Sequence, residues 1–388
     1  MNLKDAARER LDAIRASLIA LSHRIHAHPE IGFEEERASR WLCDALDGAG
    51  FAVERGICGL PTAFVARAGR GPLHVGICAE YDALPGIGHA CGHNIIAATA
   101  VGAGVAAARV ADEIGLTVSV IGTPAEEGGG GKILLLERGA FAGVHAAMMV
   151  HPAPIDVVEQ PMIAAAQFEA RFTGRAAHAS AFPEHGVNAG DAITIAQTAI
   201  GLLRQHIAPT DRIHGIVIKG GDAPNIIPAH TVAKYIVRAR TLGELASVQA
   251  RVVRCFEAGA LATGATLEMV EDHERYAEVR HDPAIAALYR RNAEALGRVF
   301  PDQGSALARA AASTDMGNVS LALPSIHPAI GISSLPAVNH QPEFAAHCVT
   351  AAADQALWDG ALAMAWTIID LAGDAALCQR LLGSRSSA

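Results

Sequence analysis

Four short apolar runs constrain this chain most: FVAR (64–67), LHVGICAE (73–80), LTVSVIGT (116–123) and AAMMV (146–150). They alternate with Ala-rich stretches near 35–50 and 95–110 that read as helices, so the segments predict buried strands of a mainly parallel sheet covered on both faces. Ahead of them Leu11, Ile14, Leu18, Leu21 and Ile25 recur at spacings of three and four, the stripe of an amphipathic helix that Pro29 ends. In an open α/β sheet, ligands gather at the carboxyl ends of strands. The residues just past the runs are therefore the ones to read for chemistry.

From about residue 166 the order changes to strand (FEARFTG), helix (about 187–206), two strands (RIHGIVIKG, TVAKYIVRAR), helix (about 242–260) and strand (ATLEMV). That βαββαβ order predicts a small ferredoxin-like α/β sandwich. It is inserted at 166–274 into a first domain made of 1–165 and 275–388.

Composition narrows the function. With 31 basic and 40 acidic residues the formal charge is −9, and no run of five like charges occurs, which argues against a nucleic-acid partner and against a polybasic membrane patch. The longest charge-free stretches, 83–108 and 316–342, are broken by His, Asn and Pro and read as core rather than as membrane spans. Charges scattered through the first 18 residues do not fit a secretory signal, so the expected location is the cytoplasm. The seven cysteines are scattered without a CxxC, against a disulfide framework or a Cys-rich zinc ribbon.

Each run finishes in metal-capable residues. LHVGICAE leads into Glu80, Asp82, His89, Cys91 and His93; LTVSVIGT leads into Glu126, Glu127 and four glycines; AAMMV leads into His151. Thiolate, imidazole and carboxylate are the ligands zinc and similar divalent ions take. Alone, Cys91 reads as a core thiol, but two residues from His93 in a tight turn the pair can converge on one ion. Two adjacent carboxylates at a buried strand end repel unless a cation separates their roles: Glu127 as ligand, Glu126 as proton carrier. The alternative is a solvated acidic turn. The glycine run is not a phosphate loop, because Glu126 and Ile133 stand where a glycine and a hydroxyl are required; Gly102 and Gly104 lie inside a helix and read as packing residues.

Seven motifs in order, EYDALPGIGHACGHN (80–94), PAEEGGGGK (124–132), VHP (150–152), GRAAHAS (174–180), PNIIP (224–228), STDMGNVS (313–320) and NHQPEF (339–344), resemble the two-metal aminoacylase and carboxypeptidase family. The similarity is greatest to its amidohydrolase branch, which holds p-aminobenzoyl-glutamate hydrolase and the β-alanyl-lysine type dipeptidase. The resemblance implies two divalent ions, zinc or manganese, on Cys91, His93, Glu127, His151 and His340. It implies Glu126 as general base, Asp82 as the group that orients a metal ligand, and an inserted lid that forms a homodimer. His178 is implied to polarise the scissile carbonyl, and Asn225 and Arg238 to hold a substrate carboxylate; Arg238 reads equally well as half of a structural ion pair. The wider family has a ligand His where this chain has Glu80. The implied activity is hydrolysis of a small N-acyl amino acid or dipeptide-like amide. The competing readings are a non-catalytic binding or regulatory protein with the same groove and an amidase for a non-amino-acid conjugate.

Overall fold

The computed structural model describes residues 2–301 and 312–383. They form two compact units, one built from 2–161, 279–301 and 314–383, the other from 162–278 and 312–313.

Strands of the larger unit are β1 (Ala52–Arg55), β2 (Phe64–Gly69), β3 (Leu73–Ala79), β4 (Leu116–Gly122), β5 (Ala146–Met148), β6 (His151–Ala153), β11 (Ser325–Ile326) and β12 (Ala329–Gly331). Six of them make one sheet in the order β1-β2-β4-β3-β5-β11. The β4, β3, β5 and β11 ladder is parallel, while β1 and β2 add an antiparallel edge. β1, AVER, has no apolar run and was not legible as a strand; it exists because β2 offers a free edge. A separate parallel pair, β6 and β12, sets His151 opposite Ala329.

Both faces of the large sheet are covered at its centre, which is why β3, β4 and β5 are mostly apolar. Val75, Ile77, Val118 and Val120 pack into the core that holds helices Leu3–His26, His93–Ala108 and Ala351–Gly373. Cys78, Ile121 and Ala147 point the other way, towards Leu135, Phe141, Met316 and Val319. Helix Leu3–His26 starts at an Asn2 cap that accepts from the Lys4 N–H, and buries Leu11, Leu18, Leu21 and Ile25. Helix His93–Ala108 is buried on every side. A Cβ at Gly104 would stand 2.5 Å from Val120 Cγ2, so the glycine here lets helix and sheet approach. Among the described residues no single helix is long and apolar enough to cross a membrane.

In the smaller unit, β7 (Ala164–Thr173), β8 (Arg212–Lys219), β9 (His230–Ala239) and β10 (Thr266–Glu271) form an antiparallel sheet in the order β10-β7-β9-β8. With helices Ala189–Leu203 and Leu242–Thr263 on one face, this is the ferredoxin-like sandwich. Phe168, Phe172, Tyr235 and Phe256 fill its core, with Phe256 edge-on to Phe168 and Tyr235 at 6.0 and 5.2 Å. Asn188 and Thr241 cap the two helices through their side-chain oxygens.

Candidate metal centre

β3 delivers Glu80 and Asp82 and, through the following loop, Cys91 and His93 at the start of a buried helix; β4 delivers Glu126 and Glu127; β6 begins with His151. The turn after β4 is held open by backbone geometry. Thr123 ties back to the Ala79 carbonyl through both its N–H and its hydroxyl. Ala125 takes a left-handed φ of 57°, a conformation that persists only when its surroundings fix it. Its N–H donates to Glu35 Oε1 at 2.8 Å. At Gly131 a Cβ would collide with the Pro124 carbonyl oxygen, so that position must be glycine for the Glu126-Glu127 turn to close on the next helix. His340 also has positive φ, 69°, and its N–H donates to Ala90 O at 2.8 Å, which brings its half-exposed ring to the same place.

The ligand-type atoms converge. Cys91, His93 and His151 form one group, and Cys91, Glu127 and His340 a second, with the donor atoms of each group within 4.8 Å of one another. Cys91 Sγ is 3.4 Å from His151 Nε2, and His340 Nε2 is 3.4 Å from Glu127 Oε1. Donors bound at the usual 2.0–2.3 Å in a tetrahedral shell stand about 3.3–3.6 Å apart, so the spacing and the S, N and O donor types fit divalent ions. The remaining atoms fix the rings for that purpose. His93 Nδ1 lies 3.1 Å from Asp82 Oδ1, while Asp82 Oδ2 accepts from the Glu127 N–H at 3.0 Å. His151 Nδ1–H donates to Pro152 O at 2.8 Å. Both imidazoles are thereby left with Nε2 for a cation. Glu126 Oε2 is 3.9 Å from His93 Nε2, in a buried position.

The electrostatics reflect the crowding. Burial, with Glu80 and Glu127 beside it, pushes Glu126 well above the usual carboxylate range. Burial and Glu127 raise the Cys91 thiol in the same way. Burial would raise Glu127 too, but the His340 hydrogen bond and His93 bring it below its ordinary value. Burial would depress His93, yet Asp82 and Cys91 carry it upward.

Three features were not assigned a role from sequence. Lys132, fully buried, places its Nζ 2.6 Å from both Glu80 Oε1 and Asp315 Oδ1, and its own N–H donates to Asp315 Oδ2 at 2.9 Å. Burial pushes Asp315 up to about 6 against the pull of Lys132. His327 is fully buried with its ring 5.5 Å from that of His151, and burial and His151 push it down to about 3. Glu35 is pushed up to about 7 by burial and by Asp82. Lys132 and Asp315 do lie in two of the motifs, but a lysine after glycines and an aspartate before a helix carry no sign that they pair.

The lid residues belong to the smaller unit. His178 and Asn225 are brought together there by an antiparallel bridge between His178 and Ile226 and by the Ala179 N–H donating to Asn225 O at 3.0 Å. Arg238, on β9, donates to Ser313 Oγ at 2.7 Å and lies 3.4 Å from His214 Nε2.

Comparison with known proteins agrees with this architecture. Residues 164–263 match the peptidase dimerisation domain family. The Xaa-Arg dipeptidase of Mus musculus is 39% identical over 384 residues, covering 95% of this chain and 89% of its own length. A p-aminobenzoyl-glutamate hydrolase polypeptide of Escherichia coli is 34% identical over 66% of this chain and 58% of its own length. Among solved structures, the aminobenzoyl-glutamate utilization protein of Klebsiella pneumoniae superposes with a TM-score of 0.72 at 20% identity, over 93% of this chain and 98% of that one. A dinuclear metal binding M20 peptidase of Bacillus subtilis superposes at 0.65 and 22%, over 91% and 98%. On the strength of the full-length dipeptidase match, with the fold in agreement, the chain belongs to the M20 peptidase family, in its amidohydrolase and dipeptidase branch.

Proposed function

We propose that this protein is a metal-dependent hydrolase that cleaves the amide bond of a small N-acyl amino acid or dipeptide, with Glu126 as the proton carrier. The observation that carries the reading is the sharing of Cys91 between two donor groups at adjoining strand ends, with a further buried carboxylate, Glu126, 3.9 Å from His93. His93 and His151 supply one group and Glu127 and His340 the other. When bound, divalent ions at such a site polarise the amide carbonyl and make water a usable nucleophile near neutral pH.

The chain's own residues do the rest. Asp82 holds His93 and the Glu127 backbone in one geometry, so the two donor groups keep their spacing. Glu126 takes a proton from the attacking water and returns it to the departing amine nitrogen. His178, beside Asn225 in the lid, is assigned to the carbonyl oxygen, and Asn225 and Arg238 to the substrate carboxylate. The Cys91 sulfur favours zinc and the Glu127 oxygen admits manganese.

The dipeptidase similarity makes a dipeptide with a basic C-terminal residue the first substrate to test. The lid also supports pairing of two copies: among the described strands β8 is an edge bonded through β9 alone, with Ile216 and Ile218 63% and 51% exposed, the surface a soluble chain normally covers. Seven unpaired thiols suit a reducing compartment, and we assign the protein to the cytoplasm.

The test is a hydrolysis screen of dipeptides, acyl-amino acids and aminobenzoyl-glutamate with metal-loaded protein. Glu126→Gln serves as control and should lose at least about a hundredfold in turnover while its metal content is unchanged. Full activity in that variant rejects the role of Glu126. Metal-free protein purified without chelator, inactive in every arm, rejects the hydrolase reading.

A further inference from the structure

A third donor group shares His93 with the first: Glu80, His93 and Glu126, all buried, with ligand atoms within 4.8 Å of one another. Glu80 Oε2 is 3.4 Å from His93 Nε2, and among the described residues neither atom has a hydrogen-bond partner. Each is fixed from its far side. His93 Nδ1 is engaged by Asp82, and Glu80 Oε1 by Lys132 Nζ at 2.6 Å. The ammonium also lies 2.6 Å from Asp315 Oδ1. The 3.4 Å between Oε2 and Nε2, in a place sealed from solvent, is the spacing of two donors on one tetrahedrally bound ion.

We propose that Glu80 is a further cation-binding residue, an oxygen donor that shares the His93 nitrogen with the Cys91 sulfur and so decides whether the site takes oxygen-preferring cations. One imidazole nitrogen serves one ion. An ion held at the His93 nitrogen would find the Cys91 sulfur and His151 nitrogen in one donor group and the Glu80 oxygen in another. Thiolate and imidazole select zinc, and carboxylate oxygen suits manganese and magnesium. Lys132 and Asp315 act as positioning residues: they hold Oε1 so that Oε2 has a single orientation. This assignment rests on the divalent-ion reading given above.

The experiment measures binding, not turnover. Chelator-treated full-length wild type and Glu80→Gln are titrated with Mn²⁺, followed by the loss of its electron paramagnetic resonance signal, and with Zn²⁺ by competition against a chromophoric chelator. Removing a donor should weaken Mn²⁺ binding by at least about tenfold, with Zn²⁺ affinity changed less than about threefold because the sulfur and nitrogen donors remain. Equal affinity for Mn²⁺ in the two proteins, or an equal loss for both metals, overturns the role of Glu80. Wild type that binds neither metal overturns the hydrolase reading as well. Should Glu80→Gln not fold, crystals of wild type grown with Mn²⁺ decide the matter through anomalous scattering. A Glu80 oxygen within about 2.3 Å of the ion supports the assignment, and an ion bonded to His93 with Glu80 beyond reach removes it.

Discussion

Replacing Lys132 with methionine removes the ammonium that stands between two buried carboxylates while keeping most of the side chain's volume. Its Nζ is 2.6 Å from Glu80 Oε1 and 2.6 Å from Asp315 Oδ1, with all three side chains fully buried. At an effective dielectric near 20 each contact is worth about 6 kcal/mol of attraction. Lost hydration offsets most of it, so the intact triad adds little net stability. Breaking it is another matter, because the carboxylates then keep their burial and lose their partner, a change that destabilises by about 3–5 kcal/mol. The assay is urea unfolding of chelator-treated protein at neutral pH, so that loss of an ion does not enter. Tryptophan fluorescence is the signal, since Trp41, Trp358 and Trp366 all lie in the larger unit. Neutralising the acids together with the lysine, as Glu80→Gln, Asp315→Asn and Lys132→Met in one chain, should recover most of the loss. A single-variant loss below about 1 kcal/mol, the level of an exposed ion pair, refutes the reasoning. So does a triple variant no more stable than the single one.

Three further outcomes follow from the packing. Gly131→Ala should destabilise the larger unit by at least about 2 kcal/mol, as a backbone clash does, since the added methyl meets the Pro124 carbonyl; an unchanged melting temperature would show that the turn yields freely. Phe256→Ala, in the lid core, should cost about 3–5 kcal/mol and appear as lost amide-exchange protection in β7 and β9; retained protection there counts against the packing. His74 is held down to about 4 by burial, Arg67 and His145, so it stays neutral in the fold while the unfolded chain takes up a proton below about 6.5. Its contribution is present above pH 6.5 and lost as pH falls to 4, by up to about 3 kcal/mol, and His74→Gln should flatten the stability profile across that window. An unchanged slope would place the acid sensitivity elsewhere.

Much of the chain could be read in advance for identifiable reasons. Strands buried on both faces must be mostly apolar, so β3, β4, β5 and the buried half of β2 announce themselves, and the stripe from Leu11 to Ile25 does the same for the first helix. The antiparallel edge strand β1 was hidden, because pairing alone makes AVER a strand. In the candidate site, Cys91, His93, Glu127 and His151 were legible from residue type and position after a strand, and the structure brings their donor atoms together. Lys132, Asp315, Glu35 and His327 were not, since a buried charge or ring acquires its meaning from a partner far away in the chain, as Lys132 does from Asp315, 183 residues on.

The order of amino acids alone determined the alternation of strands and helices and the kinds of donor atom at the strand ends, because burial and periodicity are local properties of the chain. Only the tertiary structure decided which nitrogen of His93 faces the donors, why Ala125 is held at positive φ, and that Glu80 is clamped by Lys132 with one oxygen turned towards His93. Those outcomes depend on distances of a few ångströms between remote segments, which no spacing along the chain encodes.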